Sequence, residues 1–148
     1  MAACKRKKIA QEFIPKESYA RSKENPDTYN SEFPSWRFST CDKDVWTFDA
    51  GELFDEILPK LREFESMTWN EILIRGKKQH HSIEAEKLNP AAQERLDMMR
   101  IEAEAIVSLR LQATHRLYGY RIGSVFYVLW YDKEHGDNNL CVCRSHKK

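Results

Sequence analysis

Residues 105–132 constrain the fold more than any other stretch of the chain. They read AIVSLRLQATHRLYGYRIGSVFYVLWYD. Val107, Leu109 and Leu111 recur with a period of two, with Ser108 and Arg110 between them. Side chains alternate across a strand, so this period specifies β structure. Gly123-Ser124 separates two further runs, residues 116–122 and 125–132. A Gly-X pair between strands signals a two-residue hairpin. Such a loop sets Ile122 opposite Val125, Tyr120 opposite Tyr127, Tyr118 opposite Leu129 and Arg116 opposite Tyr131. Leu117, Phe126, Val128 and Trp130, with Arg121, then form the core face. The tyrosines and Arg116 form an outer face. A slip of one residue would invert the assignment.

Upstream the period lengthens to that of a helix. Asp49 and Glu52 have the spacing of a capping box. Leu53, Phe54, Ile57, Leu58, Leu61 and Phe64 follow at helical intervals. Pro59 falls inside this run and predicts a kink or a new first turn. Thr68 and Glu71 repeat the capping signal ahead of Trp69, Ile72 and Leu73, and Gly76 is the stop. Asn89-Pro90 is a helix start, and the pattern carries that helix through NPAAQERLDMMRIEAEA. Its buried side holds Leu96 and Met99, with Ala92 and Ala103. Residues 36–40 and 45–48 read as short strands. Residues 77–88 read as a connecting segment. The expected fold is α+β: a small antiparallel sheet with two or three helices packed on one face.

The 148 residues predict one domain with one sizeable core. Residues 1–34 are polar and rich in turn formers, and are expected to be a flexible extension. Residues 35–148 are the expected domain. No run of eighteen apolar residues occurs, so no membrane span is expected. The basic start lacks the apolar stretch of a secretory leader, which makes the cytoplasm the expected compartment. Cys4, Cys41, Cys141 and Cys143 are too scattered for a disulfide scaffold. The net charge is +1, but it is unevenly spread. Residues 41–104 hold nine Lys/Arg against fifteen Asp/Glu, and residues 105–148 hold seven against three. That argues against a nucleic-acid coat and leaves room for one basic site on the C-terminal part.

Three groups of residues carry candidate chemistry. Arg110 and Arg116 flank a tight connection, Arg121 follows, and Lys133 and His135 come directly after the last strand. Guanidinium groups stabilise charge on a phosphodiester. A histidine donates or accepts protons near neutral pH. The bland reading is solvated arginines, or arginines paired with the acidic helices. Lys77, Lys78, His80 and His81 form a second cationic group, either a phosphate grip and general base or a solvated loop. Tyr118, Tyr120, Tyr127 and Tyr131 stack bases, or serve simply as good strand formers. Cys141-x-Cys143-x2-His146 lacks a standard zinc spacing, so no metal or cofactor is expected. GxGxxG, Walker, GxSxG and HExxH motifs are absent.

The segment SLRLQATHRLYGYRIGSVFYVLWYDKEHG resembles the C-terminal sheet of the RelE/ParE toxin superfamily, the RelE, YoeB and HigB group. The likeness lies in an Arg-bearing strand, a short turn, an Arg leading an aromatic strand, then a hydrophobic strand with a basic end. It extends over residues 36–148. It implies a toxin of a bacterial toxin–antitoxin pair that cuts mRNA on the ribosome without a metal, by attack of the ribose 2′-OH on the neighbouring phosphate. Arg110 and Arg116 take the place of phosphate-stabilising arginines. His135 takes that of the general acid or base, with Lys133 in support. The implied RNA contacts are Lys77, Lys78, His80, His81, Tyr118, Tyr120 and Arg121. An antitoxin covering the basic surface is the implied partner. The extension before Ser35 and the acidic helical half depart from the family pattern. ParE members poison gyrase and do not cut RNA, so the alternative is a catalytically silent or ParE-like interaction module on the same fold.

Overall fold

A computed structural model describes residues 29–136 and 142–143. The fold is α+β. In chain order its elements are β1 (Ser35–Arg37), α1 (residues 50–64), α2 (Glu71–Arg75), β2 (His81–Glu84), α3 (Pro90–Met98), β3 (Ala105–Gln112), β4 (His115–Ile122) and β5 (Val125–Asp132). All five strands join one sheet, in the order β1-β5-β4-β3-β2. β1 runs parallel to β5, and every other pair is antiparallel. The sheet is therefore larger than the small one expected. Its extra strand, β2, comes from the segment read as a connection. Residues 45–48 form no strand. Trp46 takes a left-handed φ of 48°, and its carbonyl accepts the Tyr131 N–H at 2.8 Å.

The helix starts follow from local hydrogen bonds. The Asp49 carboxylate accepts the Glu52 N–H at 2.7 Å, and Glu52 accepts the Asp49 N–H at 3.0 Å. Thr68 and Glu71 make the same reciprocal pair at 2.9 and 3.2 Å. Asn89 accepts the Ala91 N–H at 3.0 Å, with Pro90 in the first helical position. Pro59 does not break α1. A π-helical turn, Leu53–Ile57, widens the helix just ahead of it. This relieves the clash between the proline ring and the carbonyl four residues earlier. α3 stops at Met98, well short of the expected end. Arg100 takes a left-handed φ of 59°. The Arg100 N–H bonds the Asp97 carbonyl at 3.1 Å and the Ile101 N–H bonds that of Leu96 at 2.9 Å. These two bonds are a Schellman cap with arginine where glycine is usual.

The β4–β5 hairpin turns at Gly123, whose φ of 65° suits glycine. Ile122 pairs with Val125 and Tyr120 with Tyr127, as the turn predicts. The register then shifts. Gly119 pairs with Val128, but Tyr118 pairs with Trp130 rather than Leu129. Leu129 is the extra residue of a β-bulge. A Cβ on Gly119 would lie 2.2 Å from the Tyr127 carbonyl oxygen and 2.6 Å from the Phe126 ring, so only glycine fits beside the bulge. The bulge exchanges the expected sides of Trp130 and Tyr131. Tyr131 joins Leu117, and Trp130 joins Tyr118.

Both faces of the sheet are covered, not one. On the first face Val107, Leu109, Leu117, Phe126 and Val128 pack against Ile57, Leu61, Phe64, Trp69 and Ile72 of α1, α2 and the residues between. On the second, Ile106, Tyr118, Leu129 and Trp130 pack against Leu88, Ala92 and Leu96, with Val142 and Cys143. The supposed outer tyrosine face is a second core. Its polar ends are matched. The Trp130 indole N–H donates to Asp42 at 3.0 Å, and Arg95 grips the same carboxylate through two nitrogens at 2.9 and 2.8 Å. Burial alone would raise the Asp42 pKa. Hydrogen bonds from Arg95, the Asp44 backbone and Trp130, with the Arg95 charge, instead hold it below the usual carboxylate value. Among the described residues no helix is long and apolar enough to cross a membrane.

Candidate functional site

The site forms at one end of the sheet, around the turn joining β3 to β4. Arg110 and Arg116 are directly paired residues on those strands. Their neighbours Leu109, Leu111 and Leu117 fill the first face, so strand alternation sends both arginines toward the second. Beyond them the register shifts again, and Gln112 pairs with His115. Ala113 enters the turn at a left-handed φ of 44°. Arg116 Nη1 donates to the Ala113 carbonyl at 2.6 Å and the His115 carbonyl at 3.2 Å, which tucks this guanidinium under the turn. Neither guanidinium makes an ion pair among the described residues. Burial lowers the Arg116 pKa, and the Arg110 charge lowers it further.

His135 is fastened to the same turn. Its N–H donates to the Thr114 carbonyl at 3.2 Å, and the Thr114 hydroxyl donates to the Lys133 carbonyl at 2.8 Å. The His135 ring Nδ1 lies 3.5 Å from the Tyr118 hydroxyl and 3.6 Å from Cys143 Sγ. Cys143 Sγ is 3.2 Å from that hydroxyl. Tyr118, two residues along β4 from Arg116, thus links the arginine pair to His135. Ser108 pairs with Tyr118 across the strands, and its buried hydroxyl has no hydrogen-bond partner among the described residues. Asp132 closes the row opposite Arg116. Its carboxylate accepts the Glu134 and Val142 N–H groups, both at 2.8 Å, holding the chain after β5 against the sheet.

His80 stands at the edge of this end. Its Nδ1 accepts the Arg110 backbone N–H at 3.0 Å, and its ring meets Phe64 edge-on at 5.1 Å. Burial, then the charges of Lys60, His81, Arg116 and Arg110, push its pKa down to about 4. His80 is therefore a neutral wall residue at neutral pH, surrounded by cations. Lys77 and Lys78 are exposed on the turn leading into β2, and His81 is exposed as the first residue of that strand. His81 pairs with Ser108, which places this turn alongside Arg110.

The remaining expected residues lie elsewhere. Lys133 leaves the group: its ammonium pairs with Glu52 of α1 at 2.6 Å. The bulge at Leu129 explains this, since one extra residue reverses the side on which the end of β5 emerges. Arg121 sits over the Trp69 ring at 4.6 Å and donates to the Gly123 carbonyl and Asn30. Burial lowers its pKa to about 10. Tyr118 is wholly buried and has no free ring face, and Tyr120 is stacked on Tyr127 at 4.9 Å. Cys141 and His146 lie outside the described residues.

A further acid–base group escaped the sequence reading. His115, at the start of β4, holds its Nδ1 2.8 and 2.9 Å from the two oxygens of Glu56. The Tyr131 hydroxyl also donates to Glu56, and lies 3.2 Å from the same nitrogen. Burial, then the Glu56 hydrogen bond and charge, raise the Tyr131 pKa, so it stays a proton donor. Glu56 and His115 are 59 residues apart, and no local spacing announces them. Among the described residues no cluster of three or more His, Cys, Asp or Glu side chains is arranged to hold a metal. No family model, curated protein or solved structure matches the chain.

Proposed function

We propose that the protein is a RelE-like endoribonuclease toxin that cleaves mRNA without a metal. The supporting observation is the pair Arg110 and Arg116, side by side on adjacent strands, with neither paired to a carboxylate among the described residues. Like charges directly opposed across a sheet are destabilising, so an anion is the natural counterpart of this pair. In this reading a backbone phosphate rests on the two guanidinium groups. They stabilise the extra negative charge of the pentacoordinate transition state. His135 supplies proton transfer from the same turn. Lys77, Lys78 and His81 guide the adjoining phosphates, and His80 serves as a wall rather than a contact. Lys133 and Arg121 take no part. Ribosome-bound mRNA is the proposed substrate, and a small antitoxin covering the arginine pair is the proposed partner.

The test is mRNA cleavage in a translating bacterial extract, with 5′ ends mapped after adding the wild type or the Arg110→Ala/Arg116→Ala variant. New ends are expected with the wild type, with 5′-hydroxyl and 2′,3′-cyclic phosphate termini, and they persist in EDTA. The double variant is expected to lose at least about a hundred-fold in rate, the scale of removing preorganised charge stabilisation. Intact mRNA with a folded wild type would overturn the reading in favour of an interaction module.

A further inference from the structure

Tyr118, His135 and Cys143 bring three donor atoms together. The Tyr118 hydroxyl lies 3.2 Å from Cys143 Sγ and 3.5 Å from His135 Nδ1, and the sulfur and nitrogen are 3.6 Å apart. These three distances close a triangle. A tetrahedral zinc ion bonds sulfur, nitrogen and oxygen at about 2.0–2.3 Å, which sets its donors about 3.3–3.6 Å from one another. The triangle has that size. As hydrogen bonds the same contacts are poor, since an oxygen–nitrogen separation of 3.5 Å is long. The histidine and cysteine are only two donors, and the tyrosine oxygen is the third.

Main-chain pairing holds all three in place. Tyr118 lies on β4, paired with Ser108 on one side and Trp130 on the other. The His135 N–H is tied to the Thr114 carbonyl at 3.2 Å. Cys143 bridges to Leu88, and its neighbour Val142 donates to Asp132 and accepts the Asn89 N–H, both at 2.8 Å. The donors are therefore positioned before any ligand arrives, as a metal site requires. Tyr118 is wholly buried, Cys143 nearly so and His135 half-buried, so an ion reaches the triangle past the imidazole. The Arg116 charge opposes a cation here, and the Asp132 carboxylate directly across from it offsets that charge. The thiol gives up its proton on coordination, so the site gains one positive charge rather than two.

We propose that Cys143 Sγ, His135 Nδ1 and the Tyr118 hydroxyl bind a zinc-class divalent ion, with water in the fourth position. A sulfur, nitrogen and oxygen set selects zinc over magnesium and calcium, which take oxygen ligands. The zinc–sulfur bond forms as the sulfur–hydrogen bond breaks, the proton goes to solvent, and nothing is oxidised or reduced. The ion regulates the neighbouring site, and this part rests on the ribonuclease reading above. A zinc-bound Nδ1 carries no proton, so the loaded protein loses the proton transfer assigned to His135. Cleavage is then a property of the metal-free protein, and zinc switches it off.

The experiment titrates reduced, metal-stripped full-length protein with Co2+ and then Zn2+. One Co2+ per chain is expected, with near-UV thiolate-to-cobalt absorption and the visible bands of tetrahedral geometry, both abolished by Zn2+. Cys143→Ser should lose the near-UV band and bind zinc more than about a hundred-fold more weakly, beyond the cost of losing an outer-sphere partner. Cys41, whose thiol is pushed up to about 11 by burial and by Asp42, is the control, and Cys41→Ser should keep both properties. A wild type without the near-UV band, or a band that survives in Cys143→Ser, overturns the site. If Cys143→Ser does not fold, His135→Ala is titrated instead, and unchanged zinc affinity in it likewise removes the site. In the mRNA assay, protein preloaded with one equivalent of zinc should cleave at least about a hundred-fold more slowly than EDTA-treated, desalted protein. The same two preparations of Cys143→Ser should cleave alike. Equal rates for the two wild-type preparations overturn the regulatory role. No cleavage by either overturns the ribonuclease reading, and the metal site then stands or falls on the cobalt spectrum alone.

Discussion

His80 shows how one buried side chain converts position into pH dependence. In the unfolded chain its pKa is the ordinary 6.5, and in the fold it is about 4. Between these values the unfolded state binds a proton that the folded state refuses. Stability therefore falls as pH drops through this window, by up to about 1.4 kcal/mol per pH unit. His80→Asn keeps an acceptor for the Arg110 N–H but cannot titrate. Urea unfolding of the variant is expected to show a shallower loss across the same window. Parallel curves for the two proteins would place the proton elsewhere. Sequence alone put His80 among exposed basic residues, because neither Phe64 nor the Arg110 N–H is near it in the chain. Arg110, Arg116 and His135 were legible for the opposite reason. Two of them flank a short turn and the third follows the next strand, so local geometry alone gathers them.

Among the elements, the legible ones are those that announce themselves through short-range hydrogen bonds. Asp49 with Glu52, Thr68 with Glu71, and Asn89 with Pro90 each start a helix where their spacing says so. β2 gave no such signal. It is an edge strand whose side chains are mostly exposed, so no alternation marks it. The end of α3 was hidden by Arg100, which occupies a site that normally declares itself as glycine. Arg100→Gly should stabilise the protein by about 1 kcal/mol, since the left-handed conformation then carries no Cβ penalty. Thermal melting reads this as a raised midpoint; a lowered midpoint would mean that the arginine side chain contributes more than its backbone strain costs. The Leu129 bulge was illegible for a different reason. A bulge inserts a residue without altering the apolar pattern around it, yet it moved Trp130, Tyr131 and Lys133 to the sides opposite those the pattern predicts.

At the level of the whole molecule, β3, β4 and β5 support both cores. Leu61 packs on one face of these strands and Leu96 on the other, and each is nearly fully buried. Neither layer keeps its partner surface if the other loses the strands, so unfolding is expected to be a single transition. Leu61→Ala and Leu96→Ala should each lower stability by about 2–5 kcal/mol. In both variants the urea transitions followed by tryptophan fluorescence and by far-UV circular dichroism should still coincide. Separate transitions in either variant would show that the two layers fold independently.

The order of the sheet also dictates when the chain acquires its shape. β1 runs beside β5, and α1, β2 and α3 all lie against strands formed from residues 105–132. As the polypeptide is synthesised, its first hundred or so residues emerge with apolar helix faces and no surface to cover them. Their partners come later in the chain. The helices therefore keep uncovered apolar faces until residues 105–132 are free to pair, and until then the two arginines have no neighbouring strand to bring them together.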